Sequence, residues 1–596
     1  MVSSADDRWG AARFGLPDAP PPLPPCPYTP TFPAMLHHAA GRFGDLDIFV
    51  RGADRLSVRE LERRSAVLAR GLLASGLGKG SRVAVMMPNS PDFAVAFAAA
   101  SRIGAVVVPL STLYQAAELR WVLHHADVGA LLISDRYLSH DYQQRLELAF
   151  PTLAGQAAQG LFLPEAPFLR RIFVWGAADR SWALPGESAL IEAAAAAPAI
   201  DEAFLDAVEA AVAPADPFCT IYTSGSTADP KGVVHNHGPI IRHTYGLSPA
   251  YYPFGPGERI VGTRQWFWIA GLSSGYLGAI QSGLCTIIPE TDSGEEGAEL
   301  LLRENVTLVG HTPDYYARIA AALKARGEDV EVFAVMLGIA GVARRASPQA
   351  EWRFISADLE DRIPARFMPA PVDRQPNFLG MTETLAGHTT EPLPAMLPPG
   401  KEGASGRGMF GLERKIIDPQ TGRELPRGEA GELAVRGPPM MAGFHKIERA
   451  NVFERDGFYR TGDLCLIDED DCLTIKGRLS EMVKISGANV SPLEVERTVM
   501  GLGGFDQCVV LGLDRPGEKT LLAAVVTPAP NTDPSEAELI ARLKTLLSSF
   551  KVPKRIFFMR REEIPATANG KVRKQQLAPL LVERMAAERG EAAVAD

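Results

Sequence analysis

Residues 82–87 read as one short buried strand and residues 105–109 as another strand, and the segment between them reads as a capped helix. Asn89 and Ser90 offer capping side chains, and Pro91 brings the fixed φ of a first helical turn. Gly104 stops that helix after Ile103. Strand, helix and strand at this spacing make a parallel crossover, so the chain is expected to build an α/β sheet. An amphipathic helix over residues 56–77, closed by Gly78 and Gly80, leads into the unit.

A chain of 596 residues exceeds what one core organises, so at least two domains are expected. The proline-rich stretch 17–33 reads as an extended surface arm, and residues 1–50 are taken together as an N-terminal arm. The alanine-rich stretch 142–217 reads as helices and loops. After Leu412 the texture changes to short segments, 413–417 and 431–435, parted by Gly, Pro and Asp, which suggests a small antiparallel β unit. From about Gly477 the chain has strands of its own at 508–513 and 521–527 and a helix at 536–549, a pattern that could fold separately. No internal repeat stands out.

A net charge of −10 argues against nucleic acid as a partner, which calls for a basic face. Cys26, Cys219, Cys285, Cys465, Cys472 and Cys508 lack the spacing of a zinc site and are too sparse for a disulfide framework. Reduced thiols in a cytoplasmic enzyme are the simplest reading. The polar start, residues 1–14, lacks the pattern of a signal peptide, and the most apolar stretch, 93–110, is broken by Arg102 and Pro109. A homo-oligomer remains open.

The densest chemical signal is the run 223–232. An apolar strand end, Cys219 to Tyr222, meets Thr223, Ser224, Gly225, Ser226 and Thr227, then Ala228, Asp229, Pro230, Lys231 and Gly232. Backbone N–H groups, hydroxyls and one ammonium could hold a polyphosphate there. A solvated Ser/Thr turn would look much the same over so short a run. The order of glycine and lysine is not that of a Walker loop. His235 and His237 lack an accompanying acidic cluster and read as structural.

The run 223–232 closely resembles the phosphate loop of the adenylate-forming superfamily of acyl-CoA synthetases, adenylation domains and luciferases, with Ala228 in place of a usual glycine. Four further stretches resemble that superfamily in order: 380–384, 459–463, 477–478 continuing through 484–492, and 565–571. The likeness spans roughly residues 50 to 580. Three positions depart from it: Leu379 for an aromatic residue, Ser480 for Asp or Lys, and Trp268 for histidine.

The resemblance implies a fold and a chemistry. The fold is a large N-terminal domain, 51–477, of two α/β subdomains plus a β-barrel unit, and a small mobile α+β C-terminal domain, 478–596. The chemistry is activation of a carboxylic acid by ATP through an acyl adenylate, then thioester formation with coenzyme A; fatty acid metabolism is one setting. Lys571, Glu383 and Thr382 are the implied catalytic residues, with Glu383 on Mg2+. Thr223, Ser224, Gly225, Ser226, Thr227, Lys231, Gly380, Met381, Asp463 and Arg478 would bind the nucleotide, Asp463 through the ribose hydroxyls. Trp268 and Gly271 would line the acyl pocket, and Ser486, Gly487 and Ala488 the coenzyme A channel. A stand-alone ligase that loads a carrier protein is the alternative. A peptide-synthetase domain would continue into a carrier domain, whereas residues after Lys571 are few. A sensor without catalysis is disfavoured by Lys231, Glu383, Asp463 and Lys571 together.

Overall fold

The computed structural model describes residues 25–223, 230–250, 255–262, 264–306, 308–310, 313–328, 378–390, 401, 403–409, 411–485, 488–514, 520–530, 532–547, 551–567 and 570–589. The crossover inferred from sequence is present. Strand Arg82–Met86, helix Pro91–Arg102 and strand Val106–Pro109 follow one another, and the strands pair in parallel. Ser90 caps the helix, its hydroxyl accepting the Phe93 N–H at 3.1 Å.

This unit sits in an eight-stranded sheet. In spatial order its strands are Gly443–Phe444, Lys231–Asn236, Pro217–Thr223, Val106–Pro109, Arg82–Met86, Ala130–Ser134, Arg171–Trp175 and Leu184–Pro185. Alternate residues enter two different cores. Val83, Val85, Leu132 and Ile221 join one, while Ala84, Met86, Leu131 and Tyr222 join the other. Both faces are therefore covered, as a largely parallel sheet requires.

A second, five-stranded sheet runs Leu308–Gly310, Arg259–Gly262, Cys285–Ile287, Asp47–Arg51, Asp54–Ser57. It shares the first core through Ile48 and Phe49 and buries Val50, Val261 and Ile287 against helices Gly294–Arg303 and Pro313–Ala325. The sequence reading of an extended arm up to residue 33 needs correction. Phe32 and Pro33 are buried at the start of helix Phe32–Phe43, and Asp47–Arg51 is an inner strand, so the chain joins the core well before residue 51. The amphipathic helix begins later than its pattern suggested, because Ser57 caps it by accepting the Glu60 N–H and residues 54–57 pair as a strand.

The stretch read as helices and loops hides a strand. Arg171–Trp175 is buried between Ala130–Ser134 and Leu184–Pro185, and its four apolar residues in a row are what a doubly covered strand looks like.

The antiparallel unit after Leu412 has four strands, Glu413–Ile417, Ala430–Arg436, Tyr459–Ile467 and Leu473–Arg478. Farther on, strands Phe505–Leu513, Leu521–Pro528 and Arg555–Phe558 form a sheet with helices Pro492–Gly501 and Glu536–Leu546 on one face and Lys574–Arg589 on the other. The chain divides into two compact units. One runs to Glu413 and includes Arg436–Phe458; the other takes Arg414–Val435 and everything from Tyr459 on. Among the described residues, no helix is long and apolar enough to cross a membrane.

Candidate active site

In the first unit, strands Pro217–Thr223 and Lys231–Asn236 pair antiparallel, with Thr223 directly opposite Lys231. The hairpin thus holds the base of the loop; Ser224, Gly225, Ser226 and Thr227 lie outside the described residues. Glycine at 232 has a local cause, since a Cβ there would stand 3.0 Å from the Tyr222 ring. Tyr222 Oη is hydrogen-bonded to His125 Nδ1 at 2.7 Å. The Lys231 ammonium lies 5.4 Å from the centroid of the Phe444 ring.

His235 and His237 are fully buried, as is His243. Desolvation pushes His235 down to about 3, His237 to about 4 and His243 to about 4. Neutral imidazoles in a core match the structural reading.

Strand Phe378–Met381 carries Gly380 and Met381 into a tight turn, Thr382–Thr384. Met381 N–H donates to Thr384 Oγ1 at 3.3 Å, and Leu385 follows in the left-handed region at φ 56°. That turn presents half-buried Glu383, whose backbone carbonyl accepts the Met441 N–H at 2.9 Å. Among the described residues, no three His, Cys, Asp or Glu side chains gather as a ready-made metal cage. A single carboxylate would suit Mg2+, an ion that proteins commonly hold through only one or two carboxylates.

Trp266 and Phe267 belong to the core. Trp266 is 1% exposed and packs on Phe49, Phe93 and Tyr276. Trp268 is half-buried, with its ring edge-on to Phe267 at 5.1 Å. Gly271 is buried where a Cβ would stand 2.0 Å from the Gln265 carbonyl, so close backbone approach requires the glycine.

In the second unit, Asp463 and Arg478 face each other across two paired strands. Arg478 Nε lies 2.9 Å from Asp463 Oδ1, and its Nη1 donates to the Thr461 carbonyl at 2.7 Å. Burial raises the Asp463 carboxyl above the usual aspartate range, with Arg478 pulling it down and Glu481 and Glu432 pushing it up. Glu432, only 4% exposed, accepts the Gly462 N–H at 3.0 Å and pairs with Arg460. It shapes this turn, and sequence reasoning missed it. A lone charge inside the apolar strand Ala430–Arg436 was the available signal.

Lys571 is exposed at the end of a narrow hairpin, where Thr567 N–H donates to the Lys571 carbonyl at 2.7 Å and Gly570 adopts φ 79°. Ser486 and Gly487 lie outside the described residues, and Ala488 pairs with Ile485 between two short strands. Lys231, Glu383, Thr382 and Trp268 therefore lie in the first unit, and Asp463, Arg478, Ala488 and Lys571 in the second.

Known proteins resemble the chain over almost its whole length. A feruloyl-CoA synthase of Amycolatopsis sp is 29% identical over 537 residues, covering 88% of this chain and 94% of that protein. A 3-hydroxybenzoate--CoA ligase of Aromatoleum sp. (strain CIB) is 27% identical over 550 residues, covering 90% of this chain and 94% of the other. The ATP-bound crystal structure of MatB from Rhodopseudomonas palustris shares the fold, with a TM-score of 0.70 at 24% identity over 92% of this chain and 98% of that one. The anthranilate CoA ligase AuaEII in complex with anthranoyl-AMP does likewise, with a TM-score of 0.71 at 19% identity over 93% and 98%. Residues 36–445 match the AMP-binding enzyme family, and residues 494–571 match the AMP-binding enzyme C-terminal domain. With the phosphate-loop hairpin, the Glu383 turn and the Asp463 pair all inside or between those two matches, the chain belongs to the AMP-binding enzyme family.

Proposed function

We propose that this protein is an acid–thiol ligase that activates an aromatic carboxylic acid with ATP and transfers the acyl group to coenzyme A. The observation that carries the reading is the hairpin that sets Thr223 opposite Lys231 at the base of a hydroxyl- and glycine-rich loop. The aromatic choice is supported by the relatives named for feruloyl and hydroxybenzoate substrates, and by Trp268, whose half-buried indole could offer a flat face to a ring. Those relatives favour aromatic over fatty acids.

The acid carboxylate attacks the α-phosphorus of ATP, the bond to the β-phosphate oxygen breaks, and pyrophosphate leaves. Like charges must be brought together, so positioning and neutralisation dominate the barrier. Lys231, Thr223 and the loop hydroxyls hold the leaving pyrophosphate. Asp463 accepts the ribose hydroxyls, and Arg478 orients that carboxylate. Mg2+, held through Glu383, supplies charge neutralisation at the phosphates when bound. Lys571 meets the charge that moves between carboxylate and phosphate. The coenzyme A thiol then attacks the acyl carbon, the C–O bond to AMP breaks, and the thiol proton passes to solvent. Residues 478–596, which carry Lys571, are the mobile C-terminal domain of this cycle, and Ser486, Gly487 and Ala488 line the thiol's approach.

The test is acid-dependent exchange of labelled pyrophosphate into ATP, run over ferulate, 4-coumarate, hydroxybenzoates, anthranilate and straight-chain acids, followed by thioester assay with coenzyme A. Exchange and thioester with aromatic acids are expected. Exchange only with straight-chain acids would sink the aromatic assignment. Acyl transfer to a carrier protein but none to coenzyme A would sink the choice of acceptor.

A further inference from the structure

We infer that residues 441–446 form a strap that sets the Lys231 ammonium relative to Glu383, with Phe444 as the positioning residue for that ammonium. The inference rests on the proposed role of Lys231 at the ATP phosphates.

The strap touches both halves of the phosphate site in the first unit. Met441 N–H donates to the Glu383 carbonyl at 2.9 Å, Ala442 N–H to the Val234 carbonyl at 2.8 Å, and His445 N–H to the Gly232 carbonyl at 2.7 Å. Gly443–Phe444 is the outermost strand beside Lys231–Asn236, with Phe444 in register with Val233. That register brings the ring face to the Lys231 ammonium, 5.4 Å from the centroid. The far end of the strap is pinned. Lys446 Nζ lies 2.8 Å from Asp127 Oδ1, and both residues hold left-handed backbone, at φ 61° and φ 50°. Two non-glycine residues kept in that region and joined by an ion pair mark a place where the chain is held against its preference.

A lysine side chain loses much rotamer freedom when fixed. An aromatic face attracts the ammonium without using its N–H donors, so all three remain for phosphate oxygens. Phe444 thus restrains Lys231 before ATP arrives.

The experiment compares Phe444→Leu, Phe444→Tyr and Lys231→Gln, alone and combined, by initial rates with separate KM values for ATP, acid and coenzyme A. Phe444→Leu is expected to raise KM for ATP about 2- to 30-fold, the span of a cation–π contact, and to leave the other two KM values unchanged. Phe444→Tyr keeps the ring face and should behave like the parent. In the Lys231→Gln background, Phe444→Leu should add nothing. Where Phe444→Leu does not fold, Phe444→Met serves the same comparison. An unchanged KM for ATP, an equal rise in all three KM values, or an undiminished effect in the Lys231→Gln background overturns the inference. If Lys231→Gln alone leaves KM for ATP unchanged, the phosphate role of Lys231 falls first, and the strap's function with it.

Discussion

In its proposed ribose role Asp463 accepts two hydroxyls best as the carboxylate, yet its burial favours the neutral acid, and the Arg478 guanidinium 2.9 Å away only partly offsets that. The raised pKa gives a sign to the pH dependence. As pH falls, Asp463 protonates earlier than an ordinary aspartate, and kcat/KM for ATP declines with it. Arg478→Met removes the cation that favours the carboxylate, so the acid limb is expected to move to higher pH as well as losing height. A pH profile of kcat/KM for ATP in both proteins checks this. Limbs that coincide would show that Asp463 does not set them.

Helix Pro91–Arg102 illustrates what an element reveals in sequence and what it conceals. Its cap and its stop are local, and Asn89, Ser90, Pro91 and Gly104 suffice to place both ends. Its last residue is another matter. Arg102, 2% exposed, is a buried cation bonded to Glu209, to Ser65 Oγ at 3.1 Å and to Glu62 Oε1 at 3.0 Å, while His37 Nε2 reaches Glu209 Oε2 at 2.5 Å. Those partners sit on helices distant in sequence, so no window around Arg102 foretells them. Strand Arg171–Trp175 escaped notice for a related reason: five residues in an alanine-rich setting carry no period, and only pairing on both sides makes them a strand. The same contrast runs through the site. Lys231, Glu383, Asp463 and Lys571 lie in contiguous motifs, whereas Phe444 gains its meaning from strand pairing with a segment some two hundred residues earlier. Arg102→Met should cost about 3–5 kcal/mol, because buried Glu209 loses its guanidinium and keeps only the exposed His37 against it. Arg102→Met with Glu209→Leu should recover most of that, read as urea midpoints. A double variant as unstable as the single would show that volume, not charge, is at stake.

At the scale of the whole molecule, the implied lysine of adenylation and the phosphate hairpin lie in different compact units. If the units rearrange between half-reactions, Lys571→Ala should lower adenylate formation by about 10²–10³ and largely spare thioester formation from supplied acyl adenylate. Equal losses in both would rule out separate arrangements. Stability should also fall in acid. His235, His237 and His243 stay neutral in the fold down to about 3, 4 and 4, whereas unfolded histidine takes up a proton near about 6.5. The stabilisation is complete above that value and is lost on acidification, at up to about 1.4 kcal/mol per pH unit for each histidine, until the folded pKa is reached. Urea midpoints at pH 7.5 and 5.5 check the slope, which His243→Leu should reduce; a midpoint that rises in acid would contradict it. One further consequence lies in the outermost rungs of the eight-stranded sheet, Gly443–Phe444 and Leu184–Pro185, which are two residues long. Proline at one of them has no N–H to donate, and neither rung offers a length of unpaired backbone on which another copy could lay a strand. At this sheet, crowded molecules are thus denied the edge-to-edge addition through which large open sheets aggregate.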